Sequence, residues 1–275
     1  MQLNNLTAIS PIDGRYRKKL EVLSNYFSEF ALIKYRVFVE IQYFIALWEL
    51  EIPQLSKLSK NSVKNIEQIF LGFSIEDAMY IKEIEEKINH DVKAVEYFIK
   101  DKFDELGLSK FKEFVHFGLT SQDINNTAIP LILKNFTTDY YLNKLFEVRN
   151  ELQVLIEKCE GVSVLARTHG QPASPTKLDK EIKVFKVRID EQIKILKNNL
   201  YASKFSGATG NFNAHKVSYP NVDWETFGRN FCEKKLKLHY SFPTTQIEHY
   251  DHYAALCDSK SRINTILIDL CRDMW

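Results

Sequence analysis

The segment from Arg167 to Thr176 concentrates side chains that can move protons or hold charged groups. It contains a guanidinium, an imidazole (His169), a carboxamide (Gln171) and several hydroxyls. Its two prolines stiffen the backbone, since proline fixes its own φ angle and restricts the residue before it. Histidine is the side chain whose ordinary pKa permits proton transfer near neutral pH. His169 is therefore a candidate proton-transfer residue; the alternative is that the segment is only a surface connector.

Two segments in the first hundred residues place polar donors at a turn and at a predicted helix start. Arg15 offers forked donors and Tyr16 an oriented hydroxyl, a combination that suits a phosphate or a carboxylate. Asn89, His90 and Asp91 precede a predicted helix, where free backbone N–H groups and the helix dipole favour an anion. The alternatives are a plain surface turn for the first segment, and capping by Asn89 or Asp91 with an idle His90 for the second.

Three later segments have similar chemistry. Thr120 and Ser121 begin the longest predicted helix, with Ser121 as its predicted N-cap, and their hydroxyls can cap the helix or donate to an anion. The glycine-rich turn Gly207–Asn213 could approach a ligand, but it lacks the Gly-Lys-Ser/Thr element of a P-loop. Gln246, in Thr244–Glu248 at the predicted start of the final helix, could recognise a nucleobase or carboxylate edge. Together the segments predict a site for a strongly anionic ligand.

The remaining histidines give little support for a metal. His249 and His252 with Asp251 form a possible metal cluster, but no clear further ligand has suitable spacing. We interpret the other histidines as structural or exposed: His116, His215 and His239. The chain also lacks a dinucleotide-binding glycine fingerprint and a serine-hydrolase elbow. We therefore predict no metal and no cofactor.

Composition restricts the class of protein and of partner. Of 275 residues, 37 are basic and 36 acidic, so the chain lacks the basic excess that is typical of nucleic-acid-binding proteins. The four cysteines have neither Cys-x-x-Cys nor zinc spacing, and we interpret them as reduced thiols. The N-terminus lacks the features of a signal peptide, and no apolar run is long enough to span a membrane. We predict a cytoplasmic protein without nucleic-acid or membrane partners.

Few glycines (9) and prolines (7) beside many Leu, Ile, Lys and Glu favour a mostly α fold. We interpret residues 1–112 as a helical N-terminal domain and residues 113–275 as a truncated central helical-bundle domain. After an irregular segment at residues 1–20, apolar periodicity predicts helices in the first domain at residues 29–50, 63–70, 75–88 and 92–106.

The second predicted domain contains long amphipathic helices, which are typical of bundles that bury a seam against partners. A helix from Ser121 to Cys159 would be roughly 58 Å long at ~1.5 Å per residue. After a loop at residues 161–176, further helices are predicted at 182–200, near Trp224–Leu236 beyond a loop at 207–220, and from Thr245 onward. The last periodic pattern reaches Trp275 without a stop signal, so we expect the chain to be a fragment of a longer one.

Several of these motifs resemble a known family. Thr120-Ser121-Gln122-Asp123 and Thr168-His169-Gly170-Gln171-Pro172-Ala173 resemble the first two conserved regions of the fumarase/aspartase superfamily, whose members eliminate fumarate from succinyl compounds. Within it, three segments are similar to the bacterial adenylosuccinate lyases: residues 10–16, 89–97 and 244–248. The resemblance covers the whole chain, with the motifs in the same order.

The resemblance implies a mostly helical, three-domain subunit that forms a homotetramer, with active sites where several subunits meet. It implies purine-biosynthetic cleavage of adenylosuccinate to AMP and fumarate, and of the succinylated carboxamide ribotide SAICAR to AICAR. His169 would then be the general acid that protonates the leaving nitrogen. The residues implied to contact this anionic nucleotide substrate are Arg15, Tyr16, Asn89, His90, Asp91, Thr120, Ser121 and Gln246.

The sequence departs from the family pattern in one important respect. The third conserved region, a mobile loop that supplies the catalytic serine base, has no counterpart in residues 1–275. A smaller departure is His249-Tyr250-Asp251, where the family has Pro-His-Asp. We therefore expect these residues alone to be inactive. The alternatives are a non-catalytic assembly fragment and another fumarate-releasing lyase of the superfamily.

Overall fold

The computed structural model describes Asn4 and residues 6–275, and it is mostly α-helical as predicted. The chain forms two compact units: a first unit of residues up to Leu133 together with Ala202–His249, and a second unit of Lys134–Tyr201 together with Tyr250–Trp275. The division at residue 112 stays a prediction. None of the helices among the described residues is long and apolar enough to cross a membrane.

In the first unit, the irregular N-terminal segment ends in two short helices, α1 (Arg17–Leu20) and α2 (Ser24–Phe27). The four predicted helices that follow are confirmed to within three residues at each end. They are α3 (Glu29–Glu49), α4 (Lys60–Leu71), α5 (Ile75–Ile88) and α6 (Asp91–Glu105). Single-turn 3₁₀ segments lie at Glu21–Leu23 and Pro53–Leu55, and a longer one at Ser109–Phe114.

Helix α3 lies in the core of the first unit. It is apolar around most of its circumference, the pattern of a helix that is buried on all sides. Val37, Val39, Ile41 and Leu47 have no exposed surface. Two charged residues on the same helix, Arg36 and Glu40, are also buried, and burial of charge requires polar partners nearby.

The predicted helix from Ser121 to Cys159 is present in three parts. They are α7 (Ser121–Asn135), a π-helical turn (Phe136–Tyr141) and α8 (Leu142–Lys158). Pro130 lies inside α7 and does not end it. In the second unit, α8 packs with α9 (Leu178–Lys197) and α9 with α12 (Asp251–Met274). Each presents a buried apolar stripe, exemplified by Leu152, Ile193 and Ile263.

The predicted connector at residues 161–176 is instead an antiparallel hairpin of β1 (Ser163–Thr168) and β2 (Gln171–Lys177). His169 and Gly170 form its two-residue turn, with φ angles of 49° and 74°. Positive φ at both central positions matches the right-handed twist of a hairpin. Both prolines of this segment lie on β2. Because β2 pairs with β1 on one side only, it is an edge strand, where a missing backbone N–H is tolerated.

The other predictions for the second half of the chain need smaller corrections. The loop at 207–220 contains the short helix α10 (Asn213–Ser218), and the predicted helix near Trp224 comprises α11 (Trp224–Arg229) and a π-helical turn (Asn230–Lys235). Two-residue strands β3 (Ala202–Ser203) and β4 (His239–Tyr240) pair in parallel.

The final helix begins at Asp251 rather than Thr245, after Tyr250 at a φ of 62°. The N–H of Glu248 donates to Oδ1 of Asn126 on α7 over 3.0 Å. This bond holds the segment before Asp251 against α7, so that the helix starts later than predicted.

Candidate functional site

The start of α6 is organised by His90 rather than by its neighbours. The His90 side chain caps the helix, because its Nδ1 accepts the N–H of Lys93 over 3.1 Å. The alternative that Asn89 or Asp91 caps this helix is wrong, because the cap is His90. Asn89 instead ends α5 in the left-handed region, at a φ of 53°, where asparagine is well tolerated. Asp91 is the first helical residue.

Arg36 fixes Asp91 and was not identified from the sequence. Its Nη2 donates to Oδ2 of Asp91 over 2.6 Å, and its Nε donates to Oδ1 of Asn125 over 2.9 Å. The other Asp91 oxygen accepts the N–H of Val92. Burial pushes the pKa of Asp91 upward, but the Arg36 charge and these hydrogen bonds outweigh it, so that the pKa lies below its ordinary value. Asp91 is therefore held as a carboxylate.

The starts of α6 and α7 meet through a side-chain contact. Nε2 of His90 lies 3.5 Å from Oγ of Ser121, which is the first residue of α7 and not its predicted N-cap. Since Nδ1 of His90 accepts a hydrogen bond, the neutral ring carries its proton on Nε2, directed at the serine oxygen. Two helix N-termini and two polar side chains thus converge, which concentrates positive potential and donors at one place.

Thr120 links this place to the segment before α12. Its Oγ1 accepts from Nε2 of Gln246 over 3.4 Å, and its N–H donates to Oδ2 of Asp123 over 2.8 Å. Both Gln246 and His90 are exposed, so their remaining polar capacity is open to solvent or to a ligand. The first unit therefore brings together three of the predicted segments: Asn89–Asp91, Thr120–Ser121 and Gln246.

Arg15 and Tyr16 are exposed, and their described contacts are local. The guanidinium carbon of Arg15 lies 5.9 Å from the centre of the Tyr16 ring, and the N–H of Tyr16 donates to the carbonyl of Pro11. In the described part of the chain, the contacts of this pair do not extend to His90 or Thr120. A ligand-binding role for Arg15 and Tyr16 stays a prediction.

His169 lies in the second unit, at the turn of the β1–β2 hairpin, and its side chain is exposed. The turn geometry fixes its backbone, and the exposed imidazole can exchange protons with a ligand or with solvent. Its role as a general acid stays a prediction.

Two other histidines have structural partners in the first unit. Nδ1 of His116 lies 2.5 Å from Oε1 of Glu40, whose side chain is fully buried. Burial opposes the charged imidazole, but the Glu40 carboxylate outweighs it and raises the pKa of His116. His215 is fully buried, and burial lowers its pKa to about 4. Nε2 of His215 lies 2.9 Å from the hydroxyl of Tyr43.

The possible metal cluster of His249, Asp251 and His252 gains no support from the described residues. Nε2 of His249 lies 3.5 Å from Oε1 of Glu248, and groups of three or more metal-binding side chains do not occur among the described residues. The described residues of the first unit instead provide hydroxyl, amide and imidazole donors at two helix starts. Such an arrangement can bind a phosphate or carboxylate and stabilise negative charge that develops on it.

Arg36, Glu40 and Lys204 were not predicted from the sequence, and Asp123 was recognised only as part of the motif that begins at Thr120; all four are buried polar residues of the first unit. Asp123 had a signal, because an acidic residue three positions after Thr120 fits a capping-box pattern. The others had none, since buried charges are placed by partners that are distant along the chain.

Comparison with known proteins identifies the family. Residues 14–275 match the family described as Lyase. Curated relatives named adenylosuccinate lyase are 53% identical in Dictyostelium discoideum, 43% in Vibrio cholerae and 40% in Escherichia coli K12. Each alignment covers all of this chain, and the chain spans about 60% of the length of these relatives.

Solved structures show the same fold at low sequence identity. A fumarate lyase from Mesorhizobium sp. BNC1 has a TM-score of 0.75 at 19% identity, covering 92% of this chain and 56% of that one. The 3-carboxy-cis,cis-muconate lactonizing enzyme from Pseudomonas putida has a TM-score of 0.73 at 17% identity, covering 92% and 55%. With the family match over nearly its whole length, the chain belongs to the Lyase family.

Proposed function

We propose that this chain supplies the nucleotide-binding donors and the general acid of an adenylosuccinate lyase. The observation that carries the proposal is identity of 40–53% to relatives of that name over the entire chain. The convergence of His90, Ser121, Thr120 and Gln246 supports it, because the substrate carries a phosphate and two carboxylates that need fixed donors.

The proposed reaction is a β-elimination that releases fumarate. A base removes a proton from the succinyl β-carbon, and the resulting negative charge spreads into the adjacent carboxylate. Hydrogen-bond donors that are already in place lower the energy of this intermediate. The C–N bond then breaks, the electron pair goes to the purine nitrogen, and His169 donates a proton to it. General acid catalysis of this kind typically contributes about 10²–10⁴-fold.

The same chemistry would cleave SAICAR to AICAR, since both substrates carry the succinyl-amino group on a ribotide. Arg15, Tyr16, Asn89 and Asp91 complete the proposed substrate contacts. The proposal includes a cytoplasmic homotetramer as the complete enzyme and needs no metal or cofactor. Because residues 1–275 contain no serine-bearing third region of the family, the base is assigned to a segment outside these residues.

Ligand binding tests the proposed specificity directly. We expect AMP and adenylosuccinate to bind the chain in isothermal titration calorimetry, and argininosuccinate not to bind. Binding of argininosuccinate without AMP would instead favour a different lyase of the superfamily.

Fumarate release tests the catalytic part of the proposal. We expect a complete subunit to release fumarate from adenylosuccinate, followed by absorbance, and residues 1–275 alone to show negligible release. Turnover by residues 1–275 at even a few per cent of the complete enzyme's rate would contradict the assignment of the base.

A further inference from the structure

Asp123 lies at the centre of a buried hydrogen-bond network in the first unit. Its Oδ1 accepts from Nζ of Lys204 over 2.6 Å, from the N–H of Ser206 over 2.9 Å and from the N–H of Gly207 over 3.1 Å. Its Oδ2 accepts from the N–H of Thr120 over 2.8 Å. One carboxylate therefore holds the residue before α7 and the start of the glycine-rich turn at the same time.

The network extends to the segment that carries Gln246. Oγ of Ser206 lies 3.4 Å from Oγ1 of Thr244. Gly210, at a φ of 81°, packs so closely on that segment that a Cβ would lie 2.0 Å from the Thr244 carbonyl oxygen. The glycine-rich turn thus supports the Thr244 segment, and through it the position of Gln246 against Thr120.

This geometry changes the interpretation of the glycine-rich turn. The N–H groups of Ser206 and Gly207 donate to Asp123 inside the unit, so they are not free to bind a ligand. Gly210 is buried against Thr244. The described contacts make this turn a support for ligand-binding residues.

Lys204 supplies the charge that Asp123 needs. Both side chains have no exposed surface, and Nζ of Lys204 also donates to the carbonyl of Gly207. Burial lowers the pKa of Lys204, and the Asp123 carboxylate opposes this effect. The backbone of Lys204 is joined to α7 as well, since its N–H donates to the carbonyl of Asn126 and its carbonyl accepts from the hydroxyl of Thr127.

We propose that Asp123 and Lys204 are positioning residues for nucleotide binding, which hold the Thr120–Ser121 hydroxyls and the Gln246 amide in one constellation. This inference rests on the proposed function. The pair does not itself contact the ligand. Loss of the Asp123 carboxylate would release Thr120, Ser206 and Gly207 together and misplace the donors.

Three variants separate positioning from stability. Asp123→Asn leaves the Lys204 charge buried without its partner, which is strongly destabilising. The double variant Asp123→Asn/Lys204→Met removes both charges, and replacement of both partners of a buried pair often restores stability. The matched control is Glu96→Gln, which removes another buried carboxylate whose ion-pair partners, Lys93 and Lys100, lie on its own helix.

The experiment measures AMP affinity by calorimetry and melting temperature on the same samples of the 275-residue chain. We expect the single and double variants to bind AMP at least tenfold more weakly, even where the double variant regains the melting temperature of the wild type. Glu96→Gln should bind AMP within twofold of the wild type. Amide hydrogen exchange should quicken at Thr120, Ser206 and Gly207 in the double variant.

Three results would overturn the proposal in distinguishable ways. If the double variant melts like the wild type and binds AMP equally well, the Asp123–Lys204 pair is only a structural element, and the proposed function is unaffected. If the wild-type chain binds neither AMP nor adenylosuccinate, the proposed function fails, and this inference fails with it. Equal weakening by Glu96→Gln would likewise contradict a specific positioning role.

Discussion

His90 caps α6 with one ring nitrogen, Nδ1, and directs the other, Nε2, at Ser121, the first residue of α7. Nε2 lies 3.5 Å from Oγ of Ser121. The cap determines the tautomer, because an Nδ1 that accepts the N–H of Lys93 cannot also carry a proton. His90 therefore caps α6 and also presents a hydrogen-bond donor between the starts of α6 and α7. This relationship makes its structural and binding roles separable by substitution.

Replacement of His90 by Asn should separate these roles. Asn is among the best N-cap residues, so His90→Asn should stay within about 0.5 kcal/mol of the wild type in unfolding free energy, whereas His90→Ala should lose about 1 kcal/mol. Both variants lack the imidazole Nε2 that reaches Ser121 and should bind AMP about tenfold more weakly, which corresponds to ~1.4 kcal/mol. Urea unfolding and calorimetry measure the two effects. Unchanged AMP affinity in both variants would remove His90 from the site.

Arg36 should be more important for stability than an exposed arginine with a similar ion pair. Arg36→Met breaks two hydrogen bonds, to Asp91 and Asn125, in a buried place and should cost about 2–3 kcal/mol of unfolding free energy. The control is Arg17→Met, because Arg17 pairs with Asp13 over 2.7 Å with both side chains about half exposed. Such surface pairs contribute roughly 0–1 kcal/mol. Equal losses in urea unfolding would contradict the role given to Arg36.

His169 can be tested without disturbing its turn. Asn is a suitable replacement, because it tolerates the positive φ of 49° at this position and cannot act as an acid near neutral pH. In a complete subunit, His169→Asn should lower kcat by about 10²–10⁴-fold while AMP affinity changes little. Steady-state fumarate release gives the rate, and calorimetry the affinity. Near-normal kcat would exclude His169 as the general acid.

His215 should make the first unit sensitive to acid. Tyr43 donates its hydroxyl proton to the carbonyl of Phe117 over 2.6 Å, so it accepts the proton on Nε2 of His215. Nδ1 of the same ring is buried and has no hydrogen-bond partner among the described residues. The folded structure therefore favours the neutral form of His215, whose pKa is about 4 against an ordinary value of 6.5.

The sign of the effect follows from this lowered pKa. The stabilisation is fully present above about pH 6.5 and is lost as the pH falls towards 4, by about 3 kcal/mol in total. His215→Gln should lose this part of the pH dependence in urea unfolding between about pH 7 and pH 4.5. Tyr43→Phe is the control, because it removes the hydroxyl but keeps the titrating ring. Parallel pH profiles for wild type and His215→Gln would contradict the prediction.

Local patterns were enough to predict the mostly α class and the helices of the first unit. Helix α3 follows from a long apolar run after Ser28, whose side chain caps it, and α5 from a capping box at Ser74 and Asp77. These signals lie within a few residues of the element that they specify. The same locality explains why residues 89–91 and 120–121 could be recognised as helix starts.

Local patterns failed where a residue's conformation depends on a distant partner. The hairpin at residues 163–177 has few apolar residues in alternation, and its two positive φ angles depend on strand pairing. The segment before α12 is not helical, and the N–H of Glu248 donates instead to Asn126, more than a hundred residues earlier. Periodicity alone continued the final helix back to Thr245.

The sequence by itself determined which residue types could bind an anion and which short segments carried them, because caps, turns and helix starts are local. Only the tertiary structure decided that His90 meets Ser121 and that Thr120 meets Gln246. It also showed that Asp123 and Lys204, far apart in the chain, neutralise each other without any exposed surface. A buried charge needs a partner of opposite charge or hydrogen-bonding groups, and the fold can supply these from a distant part of the chain. A local sequence pattern does not show which distant residue this will be.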